Sequence, residues 1–95
     1  MAVGDVVSDN QSIGAGLYLD IQPGSGAEWV IHNIYHDSKV ELYWYDGTNN
    51  LLFEVDTGFG VFAWYEFHCT NSRRLRIKNT DSVSKLIGYD GVVSK

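Results

Sequence analysis

Cysteine is nearly absent from this sequence, and that absence limits how the chain can be stabilised. Cys69 is the single cysteine, so an intramolecular disulfide cannot form. A chain of 95 residues must then be stabilised by packing within one domain and by contacts with partner subunits. A lone thiol also fits folding in a reducing cytosol.

Basic residues are also scarce, and long apolar runs are missing. Seven lysines and arginines against twelve acidic residues give a net charge of −5. This balance argues against the broad basic surface that non-specific nucleic-acid binding requires, and against binding to anionic membranes. No apolar run approaches the length of a transmembrane helix, and Met1–Asp5 has neither the basic nor the apolar region of a secretion signal. We therefore expect no nucleic acid and no membrane among the partners.

What the chain does have is aromatic and β-branched residues in short alternating runs. The runs cover residues 28–35, 40–45, 51–55 and 62–69, and turns separate them, several of them bearing glycine. Period-two spacing is typical of half-buried strands, and no segment sustains the period of a helix. Strands that recur about every ten residues predict an all-β, single-domain antiparallel β-sandwich with about eight short strands.

The chain divides into a polar beginning and the sandwich. Residues 17–95 are predicted to form the β-sandwich domain. Residues 1–16 are polar and glycine-bearing, with Val6, Val7 and Ile13 as their main apolar side chains. This segment is predicted to be an N-terminal arm or a weak edge strand.

Two strands have side-chain patterns that simple alternation does not explain. Trp29 and Ile31 point one way and Ile34 the other, so this strand either has both faces covered or contains a bulge. Residues 61–70 are predicted to form one strand that is apolar on both faces. Such a strand is central in its sheet or lies against another subunit.

Histidine and cysteine are the candidates for a metal site or a nucleophile. His32 and His36 would share one face of a strand, but a straight strand holds residues four apart at roughly 13 Å, too far to share an ion. His68 and Cys69 would point to opposite faces. Cys69 shares a face with Phe67, so a buried core thiol is favoured over a reactive nucleophile.

Five aspartates are predicted to lie at the turns of the chain. They are Asp37, Asp46, Asp56, Asp81 and Asp90. Their spacing matches no calcium-binding loop, and aspartate is an ordinary turn former. No carboxylate pair can be assigned to the two sides of one cleft, as glycoside hydrolysis would require. We therefore expect no enzymatic activity, no metal and no cofactor.

Two groups of residues are expected on the surface. Arg74 and Arg76 alternate along a strand with Lys78, and protein contact or solvation is favoured for them over nucleic acid. Three tryptophans, six tyrosines and four phenylalanines exceed what a small sandwich readily buries, so we predict a homo-oligomer. The residues predicted at its subunit or partner interfaces are Tyr43, Tyr45, Phe62, Trp64, Arg74 and Arg76.

One stretch of the sequence resembles a known family. Residues 21–34, in which a proline–glycine turn leads into a Glu-Trp-Val-Ile strand, resemble an opening that recurs in small β-sandwich proteins of tailed bacteriophage virions. The Asp-Gly hairpin at 46–47 and the strands at 74–79 and 85–91 fit the same layout. The resemblance spans roughly residues 17–91. It implies a jelly-roll-like fold and a structural role on the virion, with no catalytic residues.

The resemblance leaves the position on the virion open. The short chain and its N-terminal segment favour a capsid decoration (cement) protein, made in the host cytoplasm. Such a protein would bind the major capsid protein or another virion protein as a homo-oligomer, with a trimer favoured. The alternative is a tail or head-fibre component, or a receptor-binding, carbohydrate-binding module. The stacking residues of that module would be Tyr35, Tyr43, Trp44 and Tyr45.

Overall fold

The computed structural model describes residues 2–95, which form only strands, turns and loops. No helix in this range is long and apolar enough to cross a membrane. The nine strands are β1 (Val6–Ile13), β2 (Tyr18–Ile21), β3 (Glu28–His36), β4 (Val40–Tyr45), β5 (Asn50–Asp56), β6 (Gly60–Phe62), β7 (Phe67–Thr70), β8 (Arg74–Asn79) and β9 (Lys85–Val93). The predicted all-β, single-domain antiparallel sandwich is confirmed, with nine strands instead of about eight.

Two antiparallel sheets build the sandwich. The first sheet has the order β1-β9-β3-β6, with β7 also paired to β3, and the second has the order β2-β8-β4-β5. Taken together, β6 and β7 occupy the place of one edge strand. With that correspondence the order is that of an eight-stranded jelly roll, in which the chain passes between two four-stranded sheets. The jelly-roll prediction is therefore confirmed.

The core lies between the two sheets and is built from alternating strand positions. Its apolar residues are Val7, Ile13, Leu19, Ile21, Ile31, Ile34, Val40, Leu42, Phe67, Cys69, Leu75, Ile77, Ile87 and Val93. In β8 the alternation holds as predicted, because Leu75 and Ile77 are buried while Arg76 lies on the outer face. Each fully buried leucine or isoleucine contributes about 1.5–3 kcal/mol of transfer free energy.

The N-terminal segment joins the first sheet. Strand β1 pairs along its whole length with β9, so it is an edge strand of that sheet. Val7 and Ile13 are buried against the core, while the residues between them are exposed. Backbone hydrogen bonds to Val93 extend this pairing to Gly4 and Asp5, at 2.8 and 2.9 Å.

A one-residue bulge interrupts β3. The register against β9 shifts between Ile31 and Asn33, and both Ile31 and Ile34 are fully buried. The bulge therefore explains the mixed pattern of this strand. It also makes the predicted common face of His32 and His36 wrong, because His36 is buried in the sandwich while His32 lines a groove on the outer side of the sheet.

The prediction of one strand over residues 61–70 is wrong. β6 ends at Phe62 and β7 begins at Phe67, and four residues between them leave the ladder. Phe62 and Phe67 both pack on the core, although five residues apart in an unbroken strand they would face opposite sides. The break resets the alternation, which is why the sequence is apolar at both phases. The segment lies at the edge of its sheet, not at the centre.

The predicted hairpin turn at Asp46 and Gly47 is confirmed. Asp46 Oδ1 accepts hydrogen bonds from the N–H groups of Thr48 and Asn49 at 3.0 and 2.7 Å. These bonds hold the pKa of Asp46 below its usual value. Gly47 has a φ of 95°, which a residue without a Cβ adopts freely.

The bulge predicts a strict requirement for glycine at position 91. A Cβ on Gly91 would overlap the carbonyl oxygen of Val30 and lie 2.8 Å from Ile31 Cα. Because these are backbone atoms that cannot turn away, Gly91→Ala should lower the free energy of unfolding by about 3 kcal/mol. Urea unfolding followed by tryptophan fluorescence measures the loss.

Gly24→Ala is the matched control for this substitution. A Cβ at Gly24 meets no atom within 4 Å, and its change in unfolding free energy should stay within about 0.5 kcal/mol. Equal losses in the two variants would contradict the assigned bulge.

Candidate binding surfaces

The outer face of the second sheet carries interleaved arginines and tyrosines. We call it the arginine–tyrosine face; its residues are Tyr18, Tyr43, Tyr45, Arg74 and Arg76. The Arg76 guanidinium lies 3.9 Å from the ring centroid of Tyr18 and 4.8 Å from that of Tyr45. Arg74 lies 4.7 Å from the Tyr45 ring. Antiparallel pairing of β8 with β2 and β4 produces these contacts, because it sets outward arginines beside outward tyrosines.

Most polar groups of this face already have partners. Arg76 Nε donates to Asp20 Oδ1 at 2.7 Å. The Tyr43 hydroxyl donates to Glu41 Oε1 at 2.6 Å, and this bond raises the pKa of Tyr43 to about 12. Because guanidinium groups lie over the rings of Tyr18 and Tyr45, those rings are not open platforms for stacking on a sugar.

Trp44, another residue considered for sugar stacking, belongs to a chain of rings between the sheets. We call this chain the aromatic seam; its residues are Trp44, Phe53, Phe62, Tyr65 and Phe67. Neighbouring ring centroids are 6.0 Å apart for Trp44 and Phe53, 6.0 Å for Phe53 and Phe67, 5.1 Å for Phe67 and Tyr65, and 6.0 Å for Tyr65 and Phe62. The seam joins β5 to the broken edge strand and so bridges the two sheets at this side of the sandwich.

The same side of the sandwich exposes apolar side chains. We call them the apolar edge: Leu51, Leu52, Val55, Phe59 and Val61. Phe59 is 83% exposed, Leu51 61%, Val55 52% and Leu52 43%. Strand β5 pairs only with β4, so its other side presents unpaired backbone donors and acceptors.

A groove crosses the outer face of the first sheet beside Trp64. We call it the tryptophan groove; its volume is about 530 Å³, and its lining residues are Val6, Ser8, His32, Asn33, Trp64, Asp90, Gly91 and Val92. Trp64 lies in the break between β6 and β7 and is 91% exposed. Its φ of 65° is left-handed, a conformation that is uncommon for non-glycine residues and an outlier for a bulky side chain.

Hydrogen bonds from the β3 bulge hold the backbone around Trp64. Asn33 Oδ1 accepts from the Trp64 N–H at 3.2 Å. The Tyr65 N–H donates to the His32 carbonyl oxygen at 3.1 Å, and His32 Nδ1 lies 2.9 Å from the Tyr65 carbonyl oxygen. The bulge and the break are therefore locked together.

A second set of hydrogen bonds anchors the acidic side of the groove. Asn33 Nδ2 donates to Asp90 Oδ1 at 2.6 Å, and the Tyr35 hydroxyl donates to Asp90 Oδ2 at 2.8 Å. The bond to Asp90 raises the pKa of Tyr35 above its usual value. Tyr35 is thus hydrogen-bonded to a lining residue of the groove.

The residues considered for metal binding or nucleophilic catalysis lie apart. Cys69 is 1% exposed, and burial raises the pKa of its thiol to about 11, as expected for a core residue. His68 is exposed, and His36 is buried with Nδ1 2.8 Å from the Ser38 carbonyl oxygen and Nε2 3.3 Å from Asp56 Oδ2. Within residues 2–95, no three histidine, cysteine or acidic side chains are grouped so that they could hold a metal ion.

The six predicted interface residues divide among three places. Four of them, Tyr43, Tyr45, Arg74 and Arg76, lie on the arginine–tyrosine face. Phe62 lies in the aromatic seam and Trp64 at the tryptophan groove.

Sequence reasoning missed the apolar edge and the groove partners. The apolar run at 51–53 and a phenylalanine between glycines at 58–60 are signals that could have indicated the edge. His32, Asn33 and Asp90 carry no comparable signal, because a bulge and a break bring them together.

Comparison with known proteins adds no family to this picture. No family model matches the chain, and no curated protein matches it at a significant level. The function is therefore inferred from the geometry of the three surfaces.

The buried thiol predicts slow alkylation of Cys69. A rise of the pKa from 9.0 to about 11 lowers the thiolate fraction at pH 8 about 100-fold. Iodoacetamide should therefore react at least about 100-fold more slowly with the folded protein than with the protein in concentrated urea. Mass spectrometry over time measures both rates, and equal rates would contradict the buried position.

The same shift predicts how the thiol affects stability at alkaline pH. The folded state keeps the thiol proton to higher pH than the unfolded state. The contribution of Cys69 to stability is therefore full below pH 9 and declines as the pH rises towards 11. Urea unfolding of the wild type and of Cys69→Ala across this range measures that decline.

The arginine–tyrosine face predicts a specific need for arginine at position 76. Arg76→Ala should lower the free energy of unfolding by about 1–2 kcal/mol, because it removes the stacking and the bond to Asp20. Arg76→Lys should recover only part of this loss, since an ammonium group does not stack as a plane. Lys95→Ala removes an exposed ion pair at 3.6 Å and should stay within about 0.5 kcal/mol. Urea midpoints measure all three, and full recovery by lysine would contradict the stacking argument.

Proposed function

We propose that this protein is a non-enzymatic virion structural protein, a capsid decoration (cement) protein on the head of a tailed bacteriophage. It acts as a symmetric homo-oligomer, with a trimer as the favoured state. The observation that carries the proposal is the apolar edge, together with the unpaired side of β5. The resemblance of residues 21–34 to the virion proteins supports it.

The apolar edge calls for a covering subunit. Soluble proteins protect edge strands with charges, proline or short length. β5 has seven residues, and Glu54 and Asp56 are its only charged side chains. Leucine and valine side chains at Leu51, Leu52 and Val55 lie more than two-fifths exposed on it. Another copy of the chain would bury them and would pair with the free backbone groups.

The arginine–tyrosine face suits the contact with the capsid. Arg74, Arg76 and Lys78 give this face positive groups on a chain of net charge −5. Arg76 is already held by Tyr18 and Asp20, so little side-chain entropy is lost on binding. Carboxylates on a capsid protein would complement such a face.

Cement action follows from mass action. A protein that binds the assembled shell and not its free subunits stabilises the shell by the free energy of that binding. Many copies that also contact one another add their contributions. No reacting group is needed for this role.

The role predicts that Val55→Lys disrupts self-association. Val55 lies opposite Glu41 in the β4–β5 ladder, so a lysine there gains an opposite charge within the protomer while it places a charge on the apolar edge. The wild-type protein should be an oligomer by light scattering, and Val55→Lys should dissociate at a concentration at least about tenfold higher. Val83→Lys is the control, because Val83 is 55% exposed and lies in the loop between β8 and β9, outside β5 and β6.

Binding to heads completes the test. Purified heads that lack this protein should sediment with the wild-type protein and resist heating better afterwards. A monomeric wild type, or heads that fail to bind it, would contradict the proposal.

A further inference from the structure

The backbone of Trp64 has a left-handed conformation that is unusual for its residue type. A φ of 65° suits glycine, yet the chain places its bulkiest type of side chain there and leaves it 91% exposed. An exposed side chain gains nothing for the core. Strained backbone of this kind persists only where the surroundings impose it, and it clusters at binding sites.

The surroundings of Trp64 are built in advance of any ligand. Asn33 accepts a hydrogen bond from the Trp64 N–H, and two further contacts join His32 to the backbone of Tyr65. The indole is therefore carried on a fixed backbone beside the groove. Binding to such a site loses little conformational entropy.

Among the tryptophans of the described residues, Trp64 has the most exposed indole ring. Phe59 and Trp64 are the only aromatic residues in residues 2–95 that are more than four-fifths exposed. Guanidinium groups lie over the rings of Tyr18 and Tyr45, and Trp44 packs in the aromatic seam. Phe59 belongs to the apolar edge, so Trp64 alone combines an open ring with a groove that also contains polar side chains.

The polar groups of the groove are mostly acceptors of hydrogen bonds. Each carboxylate oxygen of Asp90 accepts one bond and retains capacity for another. His32 Nδ1 faces a carbonyl oxygen, which has no proton to donate, so Nδ1 donates there, and in the neutral imidazole Nε2 is an acceptor. Ser8 adds a hydroxyl, and Val6 and Val92 add an apolar surface.

We propose that the tryptophan groove binds a neutral carbohydrate, with a pyranose ring on Trp64 and sugar hydroxyls on Asp90 and His32. The face of a pyranose presents C–H groups, which suit the negative face of an indole. Sugar hydroxyls supply the donors that the acceptors need. The groove volume of about 530 Å³ lies in the range of small-molecule sites. The negative charge of Asp90 disfavours uronic and sialic acids.

This site gives the protein a function beyond decoration of a shell. It lies on the first sheet, whereas the proposed capsid contact lies on the second. A copy bound to the head through the arginine–tyrosine face would present the groove outward. A neutral glycan of a cell surface or of a soluble polysaccharide then has access to it.

Affinity electrophoresis and a glycan array test the proposal. Native gels that contain dextran, mannan, galactan or xylan should retard the wild-type protein in at least one case, and gels with polygalacturonate should not. On the array, the protein should bind glycans made of neutral hexoses. Intact bacterial cells compared with the soluble polysaccharide distinguish the two sources.

The variants separate binding from folding. Trp64→Ala should weaken binding at least tenfold, and Asp90→Asn should weaken it while reducing discrimination against acidic sugars. Trp64→Gly relieves the strained φ, so it should lose binding yet unfold at an equal or higher temperature than Trp64→Ala. Val83→Lys should bind as the wild type does.

Two results would overturn the proposal. One is a wild-type protein that no neutral glycan retards or binds. The other is a Trp64→Ala variant whose glycan binding equals that of the wild type. If this variant changes only in self-association, the groove is an interface between copies and not a glycan site. Self-association is read separately with Val55→Lys, so this proposal and the decoration role fail independently.

Discussion

The outer side of the first sheet depends on the single extra residue in β3. The bulge at His32 lets Ile31 and Ile34 both enter the core, although the period of a strand would place them on opposite faces. It brings the backbone of Val30 against Gly91, and it turns Asn33 toward Asp90. Without it, neither the groove nor the conformation of Trp64 would have support.

The three surfaces differ in how far their chemistry is satisfied within the protomer. On the arginine–tyrosine face, Arg76 is held by the Tyr18 ring and by Asp20, so its side chain is already ordered. The apolar edge has exposed side chains and free backbone groups, so its free energy falls when another chain covers it. The tryptophan groove combines the exposed indole and left-handed backbone of Trp64 with the hydrogen-bonded side chains of Asn33 and Asp90.

The apolar edge borders the arginine–tyrosine face, since Leu52 and Val55 pair with Tyr43 and Glu41, whereas the tryptophan groove lies on the first sheet. Jelly rolls leave two outer faces and two edges available, and a chain with few loops must use the strands themselves for contact. The strand faces carry the polar groups, and the weakly protected edge carries exposed apolar side chains. In the proposed role, the ligand groove on the first sheet would stay separate from the contact to the shell on the second.

Much of the fold was predictable from the sequence, because alternation is a local property. The alternating runs at 40–45 and 74–79 indicate which residues face the core. Asp46 and Gly47, as typical turn residues, indicate where the hairpin turns. These features need only neighbouring residues. The jelly-roll layout was indicated by resemblance and confirmed by the strand order.

The candidate sites were decided by tertiary structure. Where a strand takes an extra residue, or leaves its ladder for four residues, depends on the backbone of the strand beside it. His32, Trp64 and Asp90 lie far apart in the chain and meet only after two such interruptions coincide across the sheet. Alternation predicts the face of a residue only until the first interruption, and beyond it the packing of neighbouring strands sets the side.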